Sequence, residues 1–193
     1  MRALIACLMC LGLSIPAMAQ GYPLPVPTVY LSMGKTYNDF DPATSTIRGS
    51  DARYLNALFE LTDEAVRARY FMMNSYTMED HAKHFEGTYK KTIEMVMAGM
   101  SEISPPSDTL KEVEVLITEA IFAQYQFFSE MDEKYKGQVG VRLDWRSEVG
   151  NENIQMSHKK LLDAHALLTT TYFTENERNL QAFYDHLCAL DFI

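Results

Sequence analysis

From residue 50 onward, apolar positions recur at helical spacing. Tyr54, Leu58, Leu61, Ala65, Ala68 and Met72 are separated by alternating steps of four and three, which lines one face of a helix. Ser50 is the expected N-cap, with Asp51 set to meet the positive end of the helix dipole. Thr77 and Asp80 form a capping-box pair that opens a second helix. Its stripe is Phe85, Tyr89, Ile93, Val96 and Met100, and it must stop before Pro105-Pro106. Ser107-Asp108 restarts the pattern, and Leu110, Val113, Ile117, Ala120, Gln124, Phe127 and Met131 mark a third helix that ends near Gly137. Asn151 caps a fourth, with Ile154, His158, Leu161, His165, Leu168 and Tyr172 on its stripe. Thr174 and Glu177 predict a capping box for a last helix, Glu175 to about Leu190, facing inward through Leu180, Phe183, Tyr184, Leu187 and Leu190.

Two stretches break this rhythm. In residues 20–49, Pro23, Pro25 and Pro27 alternate with Leu24 and Val26, which forbids helix and predicts an extended leader. Its apolar residues, among them Tyr22, Val29, Tyr30 and Leu31, predict packing on its own domain, with docking to a partner as the alternative. Between the third and fourth helices, Val139, Val141, Leu143 and Trp145 alternate with polar residues. That is a strand pattern without an obvious partner, read as an extended lid over the end of the helices. The expected fold is therefore all-α. It is an up-down antiparallel bundle of four long helices plus a short C-terminal helix, spanning residues 50–193.

The first nineteen residues have another purpose. Arg2, the apolar run Ala3 to Ile15 and the small-x-small triplet Ala17-Met18-Ala19 form the three parts of a secretory signal peptide cut before Gln20. The run is too short to span a bilayer, which needs about 20 residues. The expected destination is the periplasm or the extracellular medium. Removing 19 of 193 residues leaves 174, enough for one core. Cys7 and Cys10 leave with the signal, so Cys188 remains alone and no internal disulfide is expected. The pattern Leu187-Cys188-Ala189-Leu190 suggests a buried thiol, with an intermolecular disulfide, and so a homodimer, as the alternative. No later run is long and apolar enough to make the mature chain an integral membrane protein.

Charge narrows the partners. A formal net charge of -9 becomes -10 once Arg2 is lost, which argues against nucleic acid and against anionic membrane surfaces. The apolar share of 47% and charged share of 22% are those of an ordinary globular chain. The expected partners are a protein or a small ligand of the cell envelope.

Enzyme signatures are missing. The chain has no Gly-x-Ser-x-Gly elbow, no phosphate-binding Gly-x-x-x-x-Gly-Lys and no Cys-x-x-Cys-His. None of the five histidines is preceded at three residues by Glu, which removes the di-iron pattern. His81 and His84 on the second helix and His158 and His165 on the fourth are the candidate metal ligands. Met78 and neighbouring methionines would complete a set suited to copper or haem iron. His158 and His165 stand about 10.5 Å apart along their helix and cannot share one ion, so a site would need convergence of two helices. The more ordinary role is a set of imidazoles hydrogen-bonded within the core, with no cofactor, and a pH-sensing pair is a further alternative. Arg67 and Arg69 read as a solvated face, with a carboxylate clamp between helices as the sharper alternative. The aromatic and Met surplus in Phe122, Tyr125, Phe127, Phe128 and Met131 exceeds what one stripe uses. It predicts an interface or ligand cavity unless the leader and lid cover it. The resulting expectation is an exported, non-enzymatic binding or accessory protein, sensor- or adaptor-like in shape. The alternative is a periplasmic metal- or haem-binding bundle.

Overall fold

A computed structural model of the chain describes residues 39–47 and 49–192. The expected signal segment 1–19 and the Pro-rich part of the expected leader lie outside them. Among the described residues the regular structure is entirely helical. Helix α1 is Gly49–Met73. Helix α2, Met78–His84, passes through a π-helical turn, Phe85–Tyr89, into α3, Lys90–Glu102. Helix α4 is Asp108–Lys134, α5 is Glu152–Thr171 and α6 is Glu177–Leu190.

Several starts follow their sequence signals. The Thr77 side chain accepts from Asp80 N at 3.2 Å, and Ser107 accepts from Leu110 N at 3.2 Å. Asn151 accepts from Asn153 N at 2.9 Å. Each satisfies an amide that the first helical turn leaves without a partner. Two starts differ from expectation. Helix α1 begins at Gly49, which takes the left-handed φ of 67°, so Ser50 lies inside the helix and its hydroxyl turns to Asp51. Helix α6 is capped by Asn176, whose Oδ1 accepts from Asn179 N at 3.0 Å, not by Thr174. The reason is Glu175. Its carboxylate is taken by the Ser45 hydroxyl and the amides of Thr46 and Ile47, so the chain turns there before the helix begins.

The stripes of α1, α2–α3 and α4 are buried as expected, apart from the half-buried Leu61. Those of α5 and α6 are rotated. The buried line of α5 is Ile154, Ser157, Leu161, Ala164 and Leu168, with His158 and His165 at its flank. Ser157 and Ala164 are small, Ser157 meets Gln124 of α4, and among the described residues α4 and α5 share the most extensive helix contact. An imidazole on that line would hold the two helices apart. Helix α6 buries Asn179, Ala182, Phe183, His186, Leu187 and Leu190 and leaves Tyr184 exposed.

Residue pairs fix the neighbours. Gln124–Ser157 and Glu130–Asn153 join α4 to α5 in opposite chain directions. His165–Tyr184 and His158–Asp191 join α5 to α6, also in opposite chain directions. Phe59–Phe183 and Thr62–His186 join α1 to α6 with both chains running the same way. The end of the leader lies on α6. Phe40 stacks on Phe183 with centroids 5.6 Å apart, and Asn179 exchanges hydrogen bonds with the Asp41 backbone at 2.9 and 3.0 Å.

Helix α6 ends well short of the length of α1 and α4, having 14 residues against 25 and 27. The space beyond its C-terminus is filled by Phe192 and by the segment that joins α4 to α5. That segment does find a partner. Thr77 and Arg142 form an isolated antiparallel bridge, with Met78 N donating to Val141 O at 3.0 Å and Leu143 N to Tyr76 O at 3.2 Å. Val141, Leu143 and Trp145 pack on the core as the alternation predicts, while Val139 remains exposed. Trp145 itself opens a short 3-10 turn, Trp145–Glu148.

Candidate functional site

The residues beneath this lid form a layer of rings around Phe128. Tyr89 meets the Phe128 ring edge-on at 4.9 Å, and the rings of Trp145, Phe192 and His81 lie 5.7, 5.7 and 5.9 Å from it. The π turn helps to place this set. His81, Phe85, Tyr89 and Ile93 follow one another at steps of four, which would drift around an unbroken α-helix of 3.6 residues per turn. The wider turn at Phe85–Tyr89 counters the drift, and all four side chains are buried.

Polar atoms without partners are set into this apolar layer. His81 donates from Nε2 to the Phe128 carbonyl at 3.0 Å. A carbonyl only accepts, so Nε2 carries the hydrogen and Nδ1 is a bare acceptor. That Nδ1 is buried and has no hydrogen-bond partner. Burial lowers the His81 pKa, despite the opposing hydrogen bond to Phe128. Trp145 Nε1, a donor, and Tyr89 Oη are likewise buried and unpartnered. Burial also pushes the Tyr89 hydroxyl well above its ordinary range.

A second polar layer surrounds the C-terminus of α6. Arg69, on α1, is 4% exposed and donates from one terminal nitrogen to the Ala189 carbonyl and from the other to Met73 Sδ at 3.0 Å. Gln124, on α4, donates to the Leu190 carbonyl at 2.6 Å and to Ser157 Oγ at 2.9 Å. These two side chains supply donors that the last helical carbonyls require, and the Arg69 charge meets the negative end of the helix dipole. His158 Nδ1 lies 2.6 Å from Asp191 Oδ2, which ties the end of α6 to α5. Arg69 is therefore not the solvated residue that its sequence neighbourhood suggests. Arg67 is half-buried and pairs with Asp63 and Glu64 one turn earlier.

The four candidate metal ligands have separate surroundings. His81 points to Phe128. His84 Nδ1 lies 2.9 Å from Ser75 Oγ, with its ring 4.2 Å from Phe71. His158 meets Asp191, and His165 faces the Tyr184 ring at 5.6 Å. Burial lowers the pKa of both His84 and His165. Among the described residues, no group of three or more His, Cys, Asp or Glu side chains is placed to hold a metal ion. The fifth histidine, His186, is fully buried, stacks on Phe59 at 4.1 Å and lies 2.6 Å from Thr62 Oγ1. Cys188 is exposed, against the expectation of a buried thiol, because the rotation of α6 turns its Tyr184–Cys188 edge outward.

Tyr89, Trp145 and Arg69 are the residues that helical patterning did not single out as a group. The run of four-residue steps from His81 to Ile93 was the available signal for the π turn, but nothing local shows that Trp145 returns to it. Comparison of the chain with family models, with curated proteins and with solved structures returns no match, so the geometry of this layer carries the functional reading by itself.

Proposed function

We propose that this chain is an exported, non-enzymatic binding or accessory protein: an up-down bundle that takes up a small ligand beneath its lid and presents the result to a partner in the cell envelope. The signal-like segment 1–19 supports export to the periplasm or the medium. One observation carries the binding role. A long inter-helix segment closes over a buried aromatic layer in which His81 Nδ1, Tyr89 Oη and Trp145 Nε1 have no partner. Buried polar atoms normally find partners, and several orphans in one layer are what a ligand site leaves when it is closed on itself. The segment is suited to move. Gly137 and Gly140 take φ of 76° and 77°, and few backbone hydrogen bonds hold it to the Tyr76–Met78 stretch. Much of the aromatic surplus of α4 serves this layer, since Phe127 and Phe128 are buried against Trp145.

The test is native mass spectrometry of the protein recovered from its own cell envelope without refolding. The reading expects a chain beginning at Gln20 that carries a small-molecule adduct, lost when Trp145 is changed to Ala. A chain that keeps residues 1–19 inside the cell, or turnover of the bound molecule, would overturn it. A copper or haem adduct that disappears on changing His81 or His158 to Ala would install the metal-binding reading in its place.

A further inference from the structure

We infer that His81 is a proton-operated latch, and that protonation of its ring frees α2 and the Trp145 segment together from α4. The hydrogen bonds show what moves as one piece. The segment that carries Trp145 is joined to the start of α2 by Met78 N to Val141 O at 3.0 Å, Leu143 N to Tyr76 O at 3.2 Å and Gly140 N to Glu79 Oε1 at 2.8 Å. Its hold on α4 is through rings, with Trp145 at 6.2 Å from Phe127 and 5.7 Å from Phe128. Helix α2 meets α4 through His81, whose Nε2 donates to the Phe128 carbonyl at 3.0 Å. Among the described residues no other hydrogen bond joins those two helices. The lid and α2 are thus one flap. It is bounded by the π turn where α2 runs into α3, and by Gly137, at φ 76°, where the lid leaves α4. His81 is the pin of that flap.

The surroundings of the pin suit one protonation state. His81 is fully buried, and Phe85, Phe128 and Trp145 place their rings 6.0, 5.9 and 5.9 Å from it. With Nε2 given to the carbonyl, Nδ1 is an acceptor, and it is buried with no partner. A proton taken up there becomes an N–H that meets no acceptor, and it brings a charge into a layer of rings. Attraction of a cation to aromatic faces extends to about 6 Å, so these rings stand at its limit and replace little of the lost hydration.

The charged groups nearby do not supply the balance. On α4, Asp132 favours the charged ring, while His84 on α2 itself opposes it. Asp80 acts on His84, which Phe71 and Ser75 also meet from the side of α1. Tyr89 of the π turn and Trp145 of the lid face the layer without charge. Asp191, next to Phe192, meets His158. Burial outweighs the groups that favour the cation and lowers the His81 pKa. Among the described residues His81 belongs to no group placed to hold a metal ion, so it titrates as a lone imidazole.

Once the flap lifts, the ring reaches water and regains the ordinary imidazole value of 6.5. The open form therefore takes the proton first. Above pH 6.5 both forms are neutral and closure is at full strength. As pH falls below 6.5, the closed form loses ground by up to about tenfold per pH unit until its own lowered value is reached. Acid opens the flap and neutral pH shuts it. Opening uncovers Phe127 and Phe128, an apolar surface displayed in mild acid and hidden at neutral pH. This device needs no ligand beneath the lid, so it stands or falls apart from the binding role.

Trp145 is the single tryptophan of the chain and rides on the flap, so its emission reports opening. The mature protein, with leader and lid intact and no ligand added, is taken from about pH 8 to about pH 5, the range over which imidazole titrates. Trp145 emission, its quenching by acrylamide and the far-ultraviolet helical signal are followed together. The expected result is a reversible rise in quenching below pH 6.5 while the signal of the long helices is kept. His81→Gln keeps a donor for the Phe128 carbonyl and cannot titrate, so it should remove the acid response, whereas His84→Gln and His158→Gln should retain it. Where His81→Gln fails to fold, magnetic resonance of ring-labelled histidine in the parent decides instead. The His81 ring must then take up its proton at the midpoint of the Trp145 transition. Trp145 equally shielded at both ends of the range, an acid response that survives His81→Gln, a His81 ring that titrates away from that midpoint, or loss of the helical signal at the same midpoint would overturn the latch. None of these outcomes bears on the small-molecule adduct, which tests the binding role separately.

Discussion

At the residue scale, most consequences follow from polar atoms placed where water does not reach. Tyr89 is the clearest case. Its ring packs in the center of the aromatic layer, yet its hydroxyl has no partner. Burying a hydroxyl without a hydrogen bond costs about 1–3 kcal/mol, so Tyr89→Phe should stabilise the ligand-free protein by up to that amount in urea unfolding. An unchanged or lowered midpoint would mean that the hydroxyl is satisfied. Gly87 lies within the π turn, is exposed, and a Cβ built on it meets nothing within 4 Å. Gly87→Ala should raise stability by about 0.5–1 kcal/mol through the loss of unfolded-state freedom. A destabilised variant would show that the turn needs the freedom of glycine. Cys188 is exposed on α6, so a maleimide should label the native protein without denaturant, and Cys188→Ser should leave the unfolding free energy within about 0.5 kcal/mol of the parent. Protection of that thiol in the native state would place it in an interface between copies.

At the element scale, two attachments hold irregular segments to the helices. The first is Glu175, whose carboxylate receives the Ser45 hydroxyl and the amides of Thr46, Asn176 and Ile47. Burial alone would raise its pKa, but these hydrogen bonds outweigh that and hold it at about 2. A lowered folded-state pKa adds stability that is complete above the ordinary carboxylate range. It is lost as pH falls from 4.5 through about 2. The 39–47 segment should therefore stay attached at mildly acidic pH and release only near pH 2. Glu175→Gln should release it at neutral pH, at a cost of about 2–3 kcal/mol, seen as loss of amide-exchange protection at Thr46 and Ile47. Unchanged protection there would mean that Phe40 on Phe183 holds the segment without the carboxylate. The second attachment is the bridge between Thr77 and Arg142, supported by Gly140 N donating to Glu79 Oε1 at 2.8 Å. It joins the start of α2 to the lid, so movement of the lid and fraying of α2 are expected to occur together.

At the scale of the whole molecule, the unequal helix lengths organise the site. Because α6 stops early, its last carbonyls face the interior and are met by Arg69 and Gln124 from two other helices. The volume beyond is closed by Phe192 and Trp145, whose rings lie 6.3 Å apart. Trp145→Ala should cost about 2–4 kcal/mol and expose the Phe127–Phe128 layer, read as increased binding of a hydrophobic dye without loss of helical signal. A variant with native stability would show that the lid lies on the layer without supporting it.

The local patterns were sufficient for much of this architecture. Alternating steps of three and four specified where α1 and α4 run, and Thr77, Ser107 and Asn151 marked starts because capping is decided within one turn of the chain. The alternation of Val141, Leu143 and Trp145 announced an extended lid, though not its partner at Tyr76–Met78. What local pattern could not decide was rotation and contact. His158 and His165 satisfy a helical stripe as well as Ser157 and Ala164 do, and only the close approach of α4 and α5 selects the smaller pair for the core. Arg69 looks like a surface cation beside its stripe until the C-terminus of α6 arrives next to it. Tyr89, Trp145 and Arg69 come from three distant parts of the chain, and their unpaired atoms exist only once the molecule has closed around them. Sequence by itself determined the helical content, most helix boundaries and the acidic charge, since each depends on composition or on neighbours within a few residues. The tertiary structure alone decided which polar groups are buried and which lack partners, because burial and hydrogen bonding depend on what the rest of the chain brings to that point in space.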